Sequence, residues 1–247
     1  MGKPVRALVT RPREESENLV AELAARGVET LVEPLIAIHY HAPGAIDLAG
    51  AQAVLCTSAN GVRALARGSG ERGIPLFAVG DATAARARAE GFRRVESAGG
   101  DVGDLARLAA ARLSPRNGPL LHIAGDLVAG DLLGLLHAQG FIAERRILYE
   151  ARAVAALSPS AILGLRSGAV ALALFFSPRT ATIFVRLAGA AGIAESCAQV
   201  TSLSISPATD TVLAALPWYD RRTAWRPNQP ALLDVLDRIV GEMRNKE

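Results

Sequence analysis

Short apolar runs alternate with amphipathic segments along the whole chain. Residues 5–10 form an apolar run, and in residues 14–26 Leu19 and Leu23 belong to a helical stripe that ends at Gly27. A run of strand length followed by such a stripe is typical of a βα unit, in which the helix packs back onto the sheet.

This alternation continues to the end of the sequence. It predicts further strands at 28–32, 53–57, 76–79, 93–96, 120–124, 142–149, 169–176 and 199–204. It predicts helices at 59–67, 82–90, 102–113, 131–139, 180–187, 208–216 and 229–243, and it leaves the apolar run 162–166 without a type. Repeated βα units favour an α/β fold with doubly wound, mainly parallel sheets of the flavodoxin or Rossmann kind.

An internal repeat indicates two related halves. Three types of unit follow one another twice in the same order. Leu19, Leu23 and Gly27 recur as Leu132, Leu136 and Gly140, Ser58 recurs as Ser177, and Thr83 recurs as Thr209.

The repeat leaves two domain arrangements open. Either the halves are tandem domains, or the first unit packs with the last two units and the middle of the chain forms the other domain. In the second arrangement the similar extended segments 33–42 and 147–154 are crossovers that can pair as a ladder.

Small and hydroxyl-bearing residues follow most of the predicted strands, where ligands of parallel sheets bind. Each can simply cap a helix, but the free amides at helix starts also bind carboxylates. Two interpretations therefore stand, plain capping or a site for an anionic ligand with arginine partners. The positions are Thr10, Arg11, Thr57, Ser58, Asn60, Gly80, Thr83, Gly125, Asp126, Ser177, Arg179, Ser206 and Thr209.

Composition narrows the class of partner. Half of the residues are hydrophobic, the formal charge is +3 and only 4% are aromatic, so the dense basic runs and stacking aromatics of nucleic-acid surfaces are missing. The longest uncharged apolar run, 168–176, is too short to cross a bilayer, and the N terminus is charged too early for a secretory signal. Cys56 and Cys197 lie in apolar stretches. We therefore expect a cytoplasmic protein that binds neither nucleic acid nor a membrane.

Familiar catalytic motifs are also missing from the sequence, which has no glycine-rich nucleotide loop and no nucleophile elbow. His39 and His41 would face one side of a strand, but no further ligands accompany them, so neither a metal nor a cofactor is expected. His122 and His137 are interpreted as structural. An enzyme of this kind would work mainly by holding its substrate in a reactive shape.

Six short motifs occur in order and span nearly the whole chain. They are VTRP at 9–12, TSANGV at 57–62, AVGDATA at 78–84, the segment 140–149, FFSPRTA at 175–181 and SPATDTVL at 206–213. Each is weak alone, but together and at these spacings they resemble the uroporphyrinogen-III synthase family.

The resemblance implies two α/β domains joined by a two-stranded β-ladder, with both ends of the chain in one domain. The first domain would be discontinuous, comprising residues 1–35 and 153–247, and the second would be residues 43–146. The ladder strands would be residues 36–42 and 147–152. The resemblance thus selects the discontinuous arrangement.

The activity implied by the resemblance is that of a hydro-lyase that converts hydroxymethylbilane to uroporphyrinogen III in tetrapyrrole biosynthesis. The terminal hydroxyl leaves as water, the last pyrrole attacks through its substituted carbon, and a spiro-pyrrolenine then reopens and closes with ring D inverted. No cofactor or metal is implied. The expected partner is this small-molecule substrate, with a possible hand-over from hydroxymethylbilane synthase, and the expected state is a monomer.

Site residues also follow from the resemblance. Tyr149 lies where the family carries a tyrosine facing the cleft and is the candidate for assisting departure of the hydroxyl, although it can equally be a ladder aromatic with its hydroxyl in water. Substrate binding is assigned to Thr10, Arg11, Thr57, Ser58, Asn60, Gly80, Thr83, Ser177, Arg179 and Thr209.

The chain departs from the family pattern at two places. Ser206 stands where the family often has glycine, and Ile123-Ala124 replaces the usual basic residue ahead of Gly125. Both changes weaken the expectation of carboxylate contacts there. The alternative function is a non-catalytic two-lobed protein that binds an anionic small molecule, and Ser206 alone hints at a third, a degenerate regulatory paralogue.

Overall fold

A computed structural model describes residues 4–41, 46–128 and 130–245 of the chain. The strands are β1 (Val5–Val9), β2 (Val28–Val32), β3 (Ile36–Tyr40), β4 (Ala53–Cys56), β5 (Leu76–Ala78), β6 (Val95–Ser97), β7 (Leu120–Gly125), β8 (Ala143–Ala153), β9 (Leu172–Phe175), β10 (Thr201–Ser204) and β11 (Asp220–Thr223). The helices are α1 (Arg13–Ala25), α2 (Ala59–Gly68), α3 (Asp81–Ala89), α4 (Val102–Arg112), α5 (Leu132–His137), α6 (Pro159–Arg166), α7 (Pro178–Ala190), α8 (Pro207–Leu213) and α9 (Gln229–Arg244).

The chain divides into two compact units. The first contains the residues up to Ala37 and those from Ala153 onward, and the second is Ile38–Arg152. The boundaries therefore fall within β3 and at the last residue of β8. The domain limit predicted from the sequence at residues 42 and 43 lies outside the described residues.

A five-stranded sheet in the order β11-β10-β9-β1-β2 forms the centre of the first unit, and all its paired strands are parallel. One core cluster, which includes Phe175 and Phe184, packs on one face. Another, which includes Leu19 and Leu236, packs on the other. Strand β9 and the buried residues 7–9 of β1 are apolar on both sides because helices cover both faces.

The second unit is built on a six-stranded sheet in the order β3-β8-β7-β4-β5-β6. The strands from β8 to β6 are parallel. The N–H of His41 donates to the carbonyl of Leu148, and the N–H of Val154 donates to the carbonyl of Leu35. These bonds run in opposite order along the two strands, so β3 is antiparallel to β8.

These two parallel-dominated sheets confirm the predicted α/β fold class. The sequence pattern did not predict β11, because this strand is polar and lies at the edge of the sheet beside β10. The untyped run 162–166 lies within α6, which Ser158 caps by accepting a hydrogen bond from the N–H of Ala161. Among the described helices, none is both long and apolar enough to span a membrane.

Candidate active site

Each sheet has one point at which the chain reverses the direction of strand addition. In the second unit β4 leads outward to β6 and β7 leads outward to β8 on the other side, so the point lies between β4 and β7. In the first unit it lies between β1 and β9. Connections leave in opposite directions at such a point, and a ligand crevice forms beyond the carboxyl ends of the strands.

In the second unit this point opens into a cavity of about 430 Å³. It contains three of the residues predicted from the sequence, namely Thr57, Ser58 and Tyr149. Its remaining lining comes from Val79, Asp101, Val102, Gly125, Leu127, Val128 and Gly130. A cavity of this size suits a small molecule, and its mixed apolar and hydroxyl lining is typical of such sites.

The hydroxyls of Tyr149 and Ser58 are hydrogen-bonded at 2.7 Å. Ser58 caps α2, and its oxygen also accepts the N–H of Gly61 at 3.0 Å. The Tyr149 ring passes directly over Gly125, where a Cβ would lie 2.7 Å from the ring atom Cε2. A glycine at the end of β7 and a helix cap after β4 therefore fix where this hydroxyl lies.

A second tyrosine supports the first. The ring centroids of Tyr40 and Tyr149 are 6.3 Å apart, and the guanidinium of Arg67 stacks 3.9 Å from the Tyr40 centroid. Tyr149 is 8% exposed. The aromatic body is thus buried while the hydroxyl reaches the cavity, which argues against an aromatic whose hydroxyl stands in water.

Thr57 is held from beneath by a histidine. Its Oγ1 lies 3.1 Å from Nε2 of His122, which belongs to β7 and is 3% exposed. Burial, with a smaller contribution from the charge of Arg145, lowers the pKa of His122 to about 4. The imidazole is therefore neutral at physiological pH.

Three predicted residues of the second unit do not line the cavity. The side-chain oxygen of Asn60 accepts a hydrogen bond from Arg63, and both residues are buried. Thr83 is buried in the first turn of α3, and Gly80 is the cap of that helix. Space around Gly80 is open, since a Cβ there would meet no atom within 4 Å.

Sequence reasoning missed several lining residues. Asp101 caps α4 by accepting the N–H groups of Gly103 and Asp104, and the Asp101–Asp104 spacing is a capping signal that could have located it. Leu127 and Val128 are exposed at 63% and 42%. Both residues follow Gly125-Asp126. The sequence analysis identified this strand end but did not identify the apolar residues after it.

In the first unit, Arg11 is the best-defined charged group beside the corresponding point. Its guanidinium lies 4.0 Å from the centroid of Phe176 and donates to Oε1 of Gln229 at 2.6 Å. Burial lowers the pKa of Arg11, and the carboxylate of Glu15 opposes that effect. Thr10 is fully buried, and its hydroxyl donates to the carbonyl of Leu174.

Two serine caps recur in this unit. Ser177 caps α7 and Ser206 caps α8, and their hydroxyls lie 3.1 Å and 3.0 Å from those of Thr180 and Thr209. Thr209 is fully buried, whereas Arg179 is exposed. Ser206 has φ −154°, an extended backbone that any residue adopts, so its replacement of a family glycine costs no backbone strain here.

No metal-binding cluster of three or more His, Cys, Asp or Glu residues occurs within the described parts of the chain. His41 contacts the carbonyl of Ile147 through Nδ1 at 3.1 Å. Its Nε2 lies 3.6 Å from the carboxylate of Glu150.

Comparison with known proteins places these features in a family. The family model described as HEM4, uroporphyrinogen-III synthase HemD, matches residues 17–234. The solved uroporphyrinogen-III synthetase of Helicobacter pylori is 19% identical, with a TM-score of 0.65 over 95% of this chain and 99% of that one. A mutant uroporphyrinogen III synthase from the extremely thermophilic bacterium Thermus thermophilus is 16% identical, with a TM-score of 0.47 over 96% and 99% of the two chains. Among curated proteins no significant match is found.

Proposed function

Because the chain belongs to the uroporphyrinogen-III synthase family, we propose that the cavity of its second unit is where hydroxymethylbilane loses its terminal hydroxyl. The family acts on hydroxymethylbilane as a hydro-lyase of porphyrin biosynthesis and forms uroporphyrinogen III. The family match gives no support to a non-catalytic binding protein. The main support for this location of the reaction is the Tyr149 hydroxyl, which lies 2.7 Å from the Ser58 hydroxyl at the cavity wall.

In the proposed first step Tyr149 donates its proton to the leaving hydroxyl. The C–O bond breaks, water departs, and the adjacent pyrrole nitrogen loses its proton to leave a neutral azafulvene. That proton restores the phenol, so the step balances as loss of one water. Ser58 can donate to the phenolate while it exists, and the positive end of the α2 dipole lies beside it.

Subsequent steps need positioning more than acid–base groups. The last pyrrole attacks through its substituted carbon to give the spiro-pyrrolenine, which fragments and recloses with ring D inverted. Free substrate closes without inversion, so the protein must hold the last pyrrole in the less accessible orientation. The apolar wall of Val79, Val102 and Val128 offers a surface against which a pyrrole can lie.

We assign carboxylate binding to Thr57 in the second unit and to Arg11, Ser177 and Arg179 in the first. Ser58 is assigned to the Tyr149 hydroxyl instead. Thr10 and Thr209 are fully buried with engaged hydroxyls, so for them, as for Asn60, Gly80 and Thr83, the proposal is a supporting role at the strand ends.

We also propose that the two compact units are the functional domains, and that the protein acts as a cytoplasmic monomer. Hand-over of hydroxymethylbilane from its synthase would limit loss of a substrate that closes spontaneously. Light scattering across a concentration series tests the monomer, and a fixed dimeric mass would contradict it.

The decisive experiment couples the protein to hydroxymethylbilane synthase supplied with porphobilinogen. We expect the oxidised product, separated by chromatography, to change from isomer I to isomer III when the protein is added. Isomer I alone, in the presence of protein shown to be folded by circular dichroism, would rule the proposed function out. A pure binding protein would return hydroxymethylbilane without turnover.

A further inference from the structure

His122 is a buried polar residue beside the apolar core on one face of the second-unit sheet. Alternate residues of a strand share a face, so His122 lies on the side of Leu120. Leu120 and Leu55 belong to the core cluster beneath α4 and α5, and Leu55 is the register partner of His122. A leucine at position 122 would continue this core.

The imidazole makes one hydrogen bond among the described residues. Nε2 lies 3.1 Å from Thr57 Oγ1, whereas Nδ1 is buried and has no partner among the residues that the structure describes. Burying a polar atom without a partner is unfavourable. The polarity of this side chain therefore serves Thr57 rather than the packing of the core.

The unpartnered nitrogen also indicates where the proton lies. A buried N–H without an acceptor is rarer in proteins than a buried acceptor without a donor. This favours protonation of Nε2, which then donates to Thr57. With its oxygen accepting from His122, Thr57 is left with its own O–H to donate.

We propose that His122 is a positioning residue that turns the Thr57 hydroxyl so that its hydrogen points into the cavity, towards a carboxylate of the ligand. The inference rests on the proposed function and adds a residue that touches no substrate. A neutral imidazole suits this role, since a doubly protonated ring would add an unpaired buried charge.

Steady-state kinetics of the coupled reaction test the pair. A carboxylate contact made in both the ground state and the transition state affects KM rather than kcat. We expect His122→Leu to raise KM about five- to tenfold with kcat nearly unchanged, and His122→Gln, whose amide can replace Nε2–H, to restore most of the loss. Thr57→Val should show the same rise, and adding His122→Leu to it should cost nothing more.

An unchanged KM in folded His122→Leu, or additive losses in the double variant, would overturn the assignment. If His122→Leu fails to fold, His122→Gln and Thr57→Val still decide it, since equal increases of KM in both would contradict a donor role at position 122.

Nitrogen-15 NMR of the histidine rings gives a readout that does not depend on activity. We expect His122 in the wild-type protein to carry its proton on Nε2 at neutral pH, and a proton on Nδ1 would refute the donor geometry. A protein with this tautomer but without isomer III production would refute the proposed function alone, so the two failures are distinguishable.

Discussion

The proposed loss of water depends on one side-chain group, the hydroxyl of Tyr149. If this hydroxyl is removed, the oxygen of its partner Ser58 still accepts a hydrogen bond from the N–H of Gly61, so the cap of α2 is retained. We expect Tyr149→Phe to lower kcat about 100-fold, the lower end for loss of a general acid, while the unfolding midpoint moves little.

Tyr219→Phe is the matched control, because Tyr219 is 66% exposed and lies in the first unit. It should leave the rate of isomer III formation unchanged. Equal rates for Tyr149→Phe and wild type would remove Tyr149 from the mechanism.

Gly125 tests the position of the same hydroxyl from the opposite side. An alanine Cβ would lie 2.7 Å from Cε2 and 2.8 Å from Cζ of Tyr149, so the ring must shift. We expect Gly125→Ala to reduce kcat about tenfold, because catalysis falls steeply with small misplacements. Gly241→Ala in α9, whose Cβ would meet no atom within 4 Å, should keep full activity, and full activity in both variants would contradict the expectation.

Burial of His122 predicts a pH dependence of stability. Its pKa is about 4 in the folded protein and near 6.5 in the unfolded chain, so between these values only the unfolded chain takes up the proton. Stability contributed by the neutral ring is therefore complete above pH 6.5 and is lost as the pH falls towards 4, by about 3 kcal/mol at most. Urea unfolding of wild type and His122→Gln over this range should show a weaker pH dependence in the variant, and parallel curves would disprove it.

Two cavity residues were predictable from the local sequence pattern and a third from the family resemblance. Thr57 and Ser58 follow an apolar run and begin a helical stripe, and Tyr149 follows from its place in a family motif. His122 and Val128 were not predictable, because their position near Thr57 and Ser58 depends on the pairing of β7 with β4. The hydrogen bond across these strands joins Thr57 to His122, which are 65 residues apart in the sequence. A single sequence carries no local signal for such a pairing.

The helix caps that follow the strands differ in their roles, since some only cap a helix and others also contact the candidate site. Asn228 caps α9 in the first unit by accepting the N–H of Ala231, and it does not line the cavity of the second unit. Ser58 caps α2 and also bonds Tyr149. Comparison of the two can therefore separate helix stability from activity.

We expect Ser58→Ala and Asn228→Ala each to lower the free energy of unfolding by about 1 kcal/mol. Only Ser58→Ala should also reduce kcat, because it alone removes a partner of the Tyr149 hydroxyl. Chemical denaturation and the coupled assay measure the two effects. A loss of activity in Asn228→Ala as large as that in Ser58→Ala would show that general destabilisation is responsible.

Elements with a clear apolar pattern were predictable from the sequence, whereas a polar strand at the edge of a sheet was not. The sequence located α9 and β7 closely because α9 has a long buried stripe and β7 is buried throughout. It missed β11, since the strand is polar and its Arg221 and Arg222 pair with the carboxylates of Asp210 and Glu242 rather than with a core.

On the scale of the whole molecule, each unit contains one buried cysteine. Cys56 belongs to the second unit and Cys197 to the first, and burial raises the pKa of each thiol to about 12. Thiolates are the reactive form, so labelling by a thiol reagent requires the surrounding unit to open. The two cysteines can therefore report on the units separately.

Leu105→Ala in the second unit should speed labelling of Cys56, measured in a Cys197→Ala background, by at least about 30-fold, because a buried leucine contributes several kcal/mol to its core. Cys197 in the matching Cys56→Ala background should be affected much less, and Leu236→Ala in the first unit should show the reverse. Equal acceleration at both thiols would contradict the proposal that the units are separate domains.

The interior position of β1 in its sheet has a consequence during synthesis. The hydroxyl of Thr10 bonds a carbonyl 164 residues further along the chain, so at ribosomal elongation rates β1 waits roughly ten to thirty seconds for its neighbour β9 to be made. All residues of the second unit, 38–152, are translated before β9, so this unit can complete its sheet meanwhile. A nascent chain halted before β9 would therefore expose the unpaired apolar edge of β1, where binding by a chaperone would protect it from aggregation.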